Sequence, residues 1–217
     1  MSMSSFPLLR HIVICCALVT TLPAWAGTVY ENGPINGTVG SADISFGPQS
    51  DVGNSFTVSG GAAIVSGVTF GAWLQLGDTL TLVDVEISSL PNGGTIYFDN
   101  VLSFTQSNCF TNPVGQSVCQ ETAVFSGPTL PNGTYWLSLS EALTKGGHGV
   151  GWDQNSGVGC MSPGCPSLAV DQAQNSIPSE AFAILGGLSQ STPEPGSVTL
   201  FATGCVGLMA ALRRKLR

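Results

Sequence analysis

Positive charge is what this 217-residue sequence most lacks. Lysine and arginine number six against thirteen aspartates and glutamates, with two histidines. Five of the six bases sit near the ends, at Arg10, Arg213, Arg214, Lys215 and Arg217. Over residues 27–190, twelve acidic residues face the single Lys145, a net charge of −11. No basic patch exists to neutralise phosphates, which excludes a nucleic-acid partner. The same shortage argues against adhesion to anionic lipid. Acidity of this kind serves solubility, and it is also compatible with divalent cations outside the cell.

Catalytic motifs are missing as well. There is no Gly-x-Ser-x-Gly elbow, no His-Glu-x-x-His and no phosphate-binding glycine loop. His148 is the one histidine of the central region, so any serine or cysteine triad would depend on it. A glycosidase needs only two carboxylates. Asp84 and Glu86 are the pair whose proximity follows from sequence, because alternate residues share a strand face. A solvated face explains them more simply. The expectation is a non-enzymatic protein with no catalytic residue, no cofactor and no metal ion.

What the sequence does have is concentrated at its two ends. Arg10 and His11 precede an apolar run over residues 12–22, and Ala24-Trp25-Ala26 places small residues two apart before Gly27. That is the layout of a secretory signal peptide, residues 1–26, cleaved after Ala26 and handled by the secretion translocon. The competing reading is a buried N-terminal helix. At the other end, Pro193-Glu194-Pro195 precedes an apolar run over residues 196–212 and a basic stub over 213–217. Seventeen residues stand at the short end of the about 17–25 that span a bilayer. Gly196, Gly204 and Gly207 weaken the helix further. A short span suits a transient anchor, and the basic stub stops transfer and stays cytoplasmic. The chain before it therefore lies on the far side of the membrane.

This order of motif, apolar segment and basic stub resembles the PEP-CTERM sorting tail of Gram-negative bacterial surface proteins. The resemblance covers roughly the last tenth of the chain. It implies that an exosortase-like membrane protease recognises Pro193, Glu194 and Pro195. It further implies export through the inner membrane, transient anchoring, and then residence at the cell surface or in an extracellular matrix. The resemblance also implies a bacterium that makes extracellular polysaccharide, which makes that polysaccharide an expected partner.

Seven cysteines divide by compartment. Cys15 and Cys16 fall in the signal and Cys205 in the tail, leaving Cys109, Cys119, Cys160 and Cys165 in the exported body. An even number in an exported protein reads as disulfides. Of the three possible pairings, Cys109–Cys119 and Cys160–Cys165 are expected, because each brackets a loop rich in glycine, proline or asparagine. A four-cysteine zinc site is the alternative, but the spacings do not match paired zinc-ribbon ligands.

Residues 27–188 form one domain, followed by a linker and tail over 189–217. The runs between turns are rich in valine, threonine, isoleucine and phenylalanine, which favours strands. Alternation appears at 55–59, 79–87, 97–104, 122–125, 135–139 and 179–185. Such strands, spaced by turn signals, predict a mainly β fold, an antiparallel β-sandwich of jelly-roll type. A signal helix and a transmembrane sorting helix would flank it. Leu90-Pro91-Asn92-Gly93 and Leu130-Pro131-Asn132-Gly133 are each expected to close a hairpin. Residues 145–166 hold seven glycines and read as one long loop, stapled at its end by Cys160–Cys165.

The leading expectation for function is an exported structural or extracellular-matrix protein. The alternative is a carbohydrate-binding module with an exposed aromatic platform. Trp73, Tyr97, Trp136 and Trp152 are the candidates for it. Trp73 opens an apolar stretch and reads as core, whereas Trp152 in the glycine-rich segment is expected to be exposed and, with Asp153, to contact glycan; a tryptophan plugging an end of the sandwich is the competing reading.

Overall fold

A computed structural model describes residues 27–48, 50–91 and 93–189. Ala24, Ala26, Pro193, Glu194, Pro195 and the basic stub lie outside the described residues, and so do both expected terminal helices. No helix occurs among the described residues, so none is long and apolar enough to cross a membrane.

Among the described residues the chain forms fourteen strands. They begin with β1 (Gly27–Glu31), β2 (Ser41–Asp43), β3 (Val52–Val58), β4 (Ala62–Leu74) and β5 (Leu80–Leu90). Next come β6 (Gly93–Leu102), β7 (Thr105–Thr111), β8 (Ser117–Val124), β9 (Thr129–Leu130) and β10 (Gly133–Thr144). The last are β11 (Gly151–Asp153), β12 (Ala169–Asp171), β13 (Ser176–Ile177) and β14 (Phe182–Ser189). The protein is mainly β, in two sheets whose strand ladders are antiparallel. The eight-stranded sheet follows the path β1-β14-β4-β11-β2, with β8 and β9 also on β4 and β7 on β8. The six-stranded sheet runs β13-β12-β3-β10-β5-β6.

Strand β4 organises the larger sheet. Its sequence, AAIVSGVTFGAWL, contains no charge, and every residue from Gly67 to Leu74 is buried. A run without a polar alternate face suits a strand covered on both sides. One face enters the core through Val68, Phe70 and Ala72. The other is covered by the chain between β1 and β2. Gly71 permits this close approach, since a Cβ there would lie 2.7 Å from both Ile35 Cγ2 and Asp153 Cβ. In that covering segment Asn36 Oδ1 accepts bonds from Thr38 N (3.2 Å) and Thr38 Oγ1 (2.7 Å), the self-bonded asparagine turn.

Both sheets contribute to one core. Val83, Val85, Ile87, Leu137 and Leu139 from the six-stranded sheet join Phe70, Phe182 and Ile184 from the other. Tyr30 bridges them, with ring centroids 6.1 Å from Phe56 and 5.8 Å from Phe182. The alternation expected in β5 holds from Val83 onward and fails before it. Leu80 is buried and Thr81 exposed, and the pairing with β10 shifts register in that stretch.

The two Leu-Pro-Asn-Gly turns part company. In the first, Leu90 pairs with Gly93 and the turn closes the β5–β6 hairpin as expected. In the second, Leu130 ends β9 in the larger sheet while Gly133 begins β10 in the smaller. The expected hairpin is thus corrected to a crossover between sheets. One local and one long-range bond hold it there. Tyr135 Oη donates to Pro131 O (3.0 Å) and Asn132 Oδ1 accepts from Gly61 N (3.0 Å).

The cysteines meet in the two local pairs expected. Cys109 and Cys119 have Cα atoms 4.1 Å apart across β7 and β8, and Cys160 and Cys165 have Cα atoms 5.7 Å apart in the loop before β12. Residues 145–166 are not one continuous loop, because β11 lies within them, paired to both β2 and β4.

Candidate functional site

Strand β11 decides where its two marked residues go. Gly151 pairs with Trp73 and Trp152 with Ala72, so Trp152 shares the core face of Ala72. It is fully buried, its Nε1 donates to Ala181 O at 3.0 Å, and its ring packs on Phe70 and Phe182. The expectation that Trp152 is an exposed glycan contact is therefore corrected. Glycine-rich flanks suggested a loop, whereas strand pairing placed the largest side chain of the segment in the core.

Asp153, next in the chain, points to the opposite face and is equally buried. Its Oδ2 accepts from the backbone N of Asn36 (2.9 Å) and Gly37 (3.2 Å), and its Oδ1 accepts from Trp73 Nε1 (2.6 Å). Burial pushes its pKa up, and these three donors oppose the rise. Asp153 is thus a positioning group for Trp73, unable to reach a ligand itself. No periodicity links residues eighty apart, so the sequence offered no signal for this pair.

Trp73 forms the floor of an open groove of about 330 Å³ at the β2 end of the larger sheet. Asp43 and Ser45 stand on one side, Gln75 and Gln116 on another, and residues 148–151 form a wall. Asp43 Oδ1 accepts from Ser45 N (3.0 Å) and Ser45 Oγ (2.5 Å), while Ser45 Oγ accepts from Val150 N (2.8 Å). This ties β2 to the wall. Gly151 leaves room for the closure, since a Cβ there would overlap Ser41 Oγ. The amides of Gln75 and Gln116 are exposed and make no hydrogen bond among the described residues.

His148 stands at the rim. Its Nδ1 lies 2.7 Å from Asp78 Oδ2. Asp78 Oδ1 also accepts from Thr79 N (2.8 Å) and Gly146 N (2.8 Å). Burial raises the Asp78 pKa, but bonds from Thr144, His148, Thr79 and Gly146 outweigh it and hold the carboxyl below its ordinary range. Among the described residues no serine or cysteine hydrogen-bonds the imidazole ring, so the pair lacks an aligned nucleophile.

The other aromatic candidates lie elsewhere. Tyr135 faces the core and Trp136 is half-buried on the outer face of the six-stranded sheet, beside Gly53. Tyr97 is exposed on β6. Asp84 and Glu86 share that same outer face with Asp51. Burial and then the charges of Glu86 and Asp84 push Asp51 up to about 6. Asp84 is raised too, by burial first and then by Asp99 and Glu141. Among the described residues no group of three or more histidines, cysteines or acids is arranged to hold a metal ion. Comparison with known protein families, curated proteins and solved structures returns no match.

Proposed function

We propose that this protein is an exported β-sandwich of jelly-roll type, sorted to the bacterial surface by a PEP-CTERM-like tail, where it serves as a non-enzymatic structural component of the extracellular matrix. The observation that carries the reading is the order of Pro193-Glu194-Pro195, the apolar run over 196–212 and the basic stub over 213–217. Prolines on both sides of Glu194 resist helix and keep the segment extended, a form in which a protease can bind it as a strand. Among the described residues β14 runs to Ser189, only a few positions before the motif in sequence. The folded body would therefore sit close to the membrane until an exosortase-like protease processed the tail.

Two features of the body support export. Its cysteines come together in local pairs suited to an oxidising compartment. Gly27 pairs with Gly186 within β1 and β14, so a mature chain starting at Gly27 would keep that pairing. The N-terminal sequence of the mature protein should accordingly start at Gly27. Replacing Pro193, Glu194 and Pro195 by alanine should leave export intact and abolish tail processing, so that full-length tail accumulates in the inner membrane. Processing like wild type in a host with exosortase would overturn the sorting assignment.

A further inference from the structure

We propose that the groove floored by Trp73 binds a neutral, hydroxyl-rich ligand, a segment of uncharged polysaccharide. This deepens the matrix reading above and rests on it for the ligand's setting, while the chemistry comes from the groove. Its side chains are two amides, a carboxylate, hydroxyls and an imidazole around an indole. Each amide offers two donors and an acceptor oxygen, and Asp43 offers acceptors only. Vicinal hydroxyls, which both donate and accept, complement such a set, and the apolar face of a sugar ring matches the indole. Only 9 % of Trp73 is exposed, so the ring supplies a floor and not a projecting platform.

Charge narrows the class. Asp43 lines the groove and Asp78 lies behind His148, whereas no lysine or arginine lines it. A uronate, sulfate or phosphate ester would meet carboxylates without a compensating cation. An uncharged glycan meets no such penalty. The groove is also open and not enclosed, which allows a chain to pass through. Its parts are fixed before binding: Asp153 locks the indole, and Ser45 ties β2 to the wall. That preorganisation spares a ligand the cost of ordering them.

The test uses the full exported protein, solubilised in mild detergent, titrated with neutral gluco-, galacto- and manno-oligosaccharides and with oligo-uronates. Calorimetry should detect binding of at least one neutral series and none of the uronates. Gln75→Ala combined with Gln116→Ala removes exposed amides that make no internal bond, so the fold is preserved and affinity should fall at least tenfold. Trp73→Phe should weaken binding as well, with unfolding curves separating lost contact from lost fold. Tyr97→Ala, on the other sheet, should change nothing. Absence of binding to every neutral series, preference for uronates, an unaffected amide double variant, or loss through Tyr97→Ala would each overturn the proposal. Tail processing is read separately, so a failed titration leaves the sorting assignment standing, and a failed sorting test leaves the groove standing.

Discussion

Asp153 and Glu121 lie in the same eight-stranded sheet, and both are fully buried. Asp153 is met by three N–H donors, from Trp73, Asn36 and Gly37. Glu121, on β8, lies across from Phe70 and faces the core, and neither of its oxygens has a hydrogen-bond partner among the described residues. A buried carboxylate is tolerated when donors surround it, and otherwise the group keeps its proton. Burial alone pushes Glu121 up to about 7. One acid thus acts as an organiser of structure, joining the covering segment, β11 and the groove floor. The other is a fault line in the core whose cost depends on pH.

The largest effect should come from breaking the organised acid. Asp153→Ala would leave three donors without an acceptor. At about 1–3 kcal/mol for each group that stays dry, and with water reaching some of them, the loss should be on the order of 4 kcal/mol. Urea unfolding of the variant would measure it. A loss below about 1 kcal/mol, within the range of a surface change, would mean that the three bonds do not organise this region.

Glu121 should give the next largest effect, and only across a pH range. Its folded pKa is raised from 4.5 to about 7, so the native state holds the proton more tightly than the unfolded chain. Its stabilising share is complete below about 4.5 and is lost as pH rises to about 7, roughly 3 kcal/mol in all. Glu180, also fully buried and raised well above its ordinary value, contributes with the same sign. The difference between wild type and Glu121→Gln in denaturant melts at successive pH values isolates Glu121. That difference should tilt in favour of the variant as pH rises. A constant difference would refute the assignment of the proton to Glu121.

Neither acid could be ranked from sequence, and the reason is general to this fold. Strand existence was legible where alternation is strong, as from Val83 to Ile87, because period-two patterning reports one buried face directly. Strand β11 was not legible. Three residues among glycines carry no period, and Trp152 faces the core only because β11 inserts between β2 and β4. The paired Leu-Pro-Asn-Gly turns make the same point. Identical residues favour the same local reversal, but the partner of the next strand is chosen by distant contacts such as Asn132 with Gly61. Local cysteine pairing was legible because short enclosed loops limit the choices. The groove was not, since its parts come from β2, the end of β4, the start of β8 and residues 148–151, which only the sheet brings together.

The smallest effect should come from opening the cover over Glu121. That cover is the edge strand β7, where Gln106 lies across from Glu121 and donates from Nε2 to Cys119 Sγ at 2.9 Å. The Cys109–Cys119 link ties β7 to β8 two residues from the acid. Replacing both cysteines by serine should cost about 2–3 kcal/mol, the chain-entropy value for a ten-residue separation. The more telling result is the slope. With β7 free to fray, water reaches the Glu121 carboxyl, its pKa falls back toward the ordinary glutamate range, and the decline of stability between pH 4.5 and about 7 becomes shallower. The corresponding change at Cys160 and Cys165 should lower stability without touching the part of that slope that Glu121→Gln removes, since no residue of that loop pairs with β8. If both double variants keep the full wild-type slope, the burial of Glu121 does not depend on the edge strand. Protonation would then be held by the core face of β4 and β8 alone, and the link between β7 and the core acid would have to be given up.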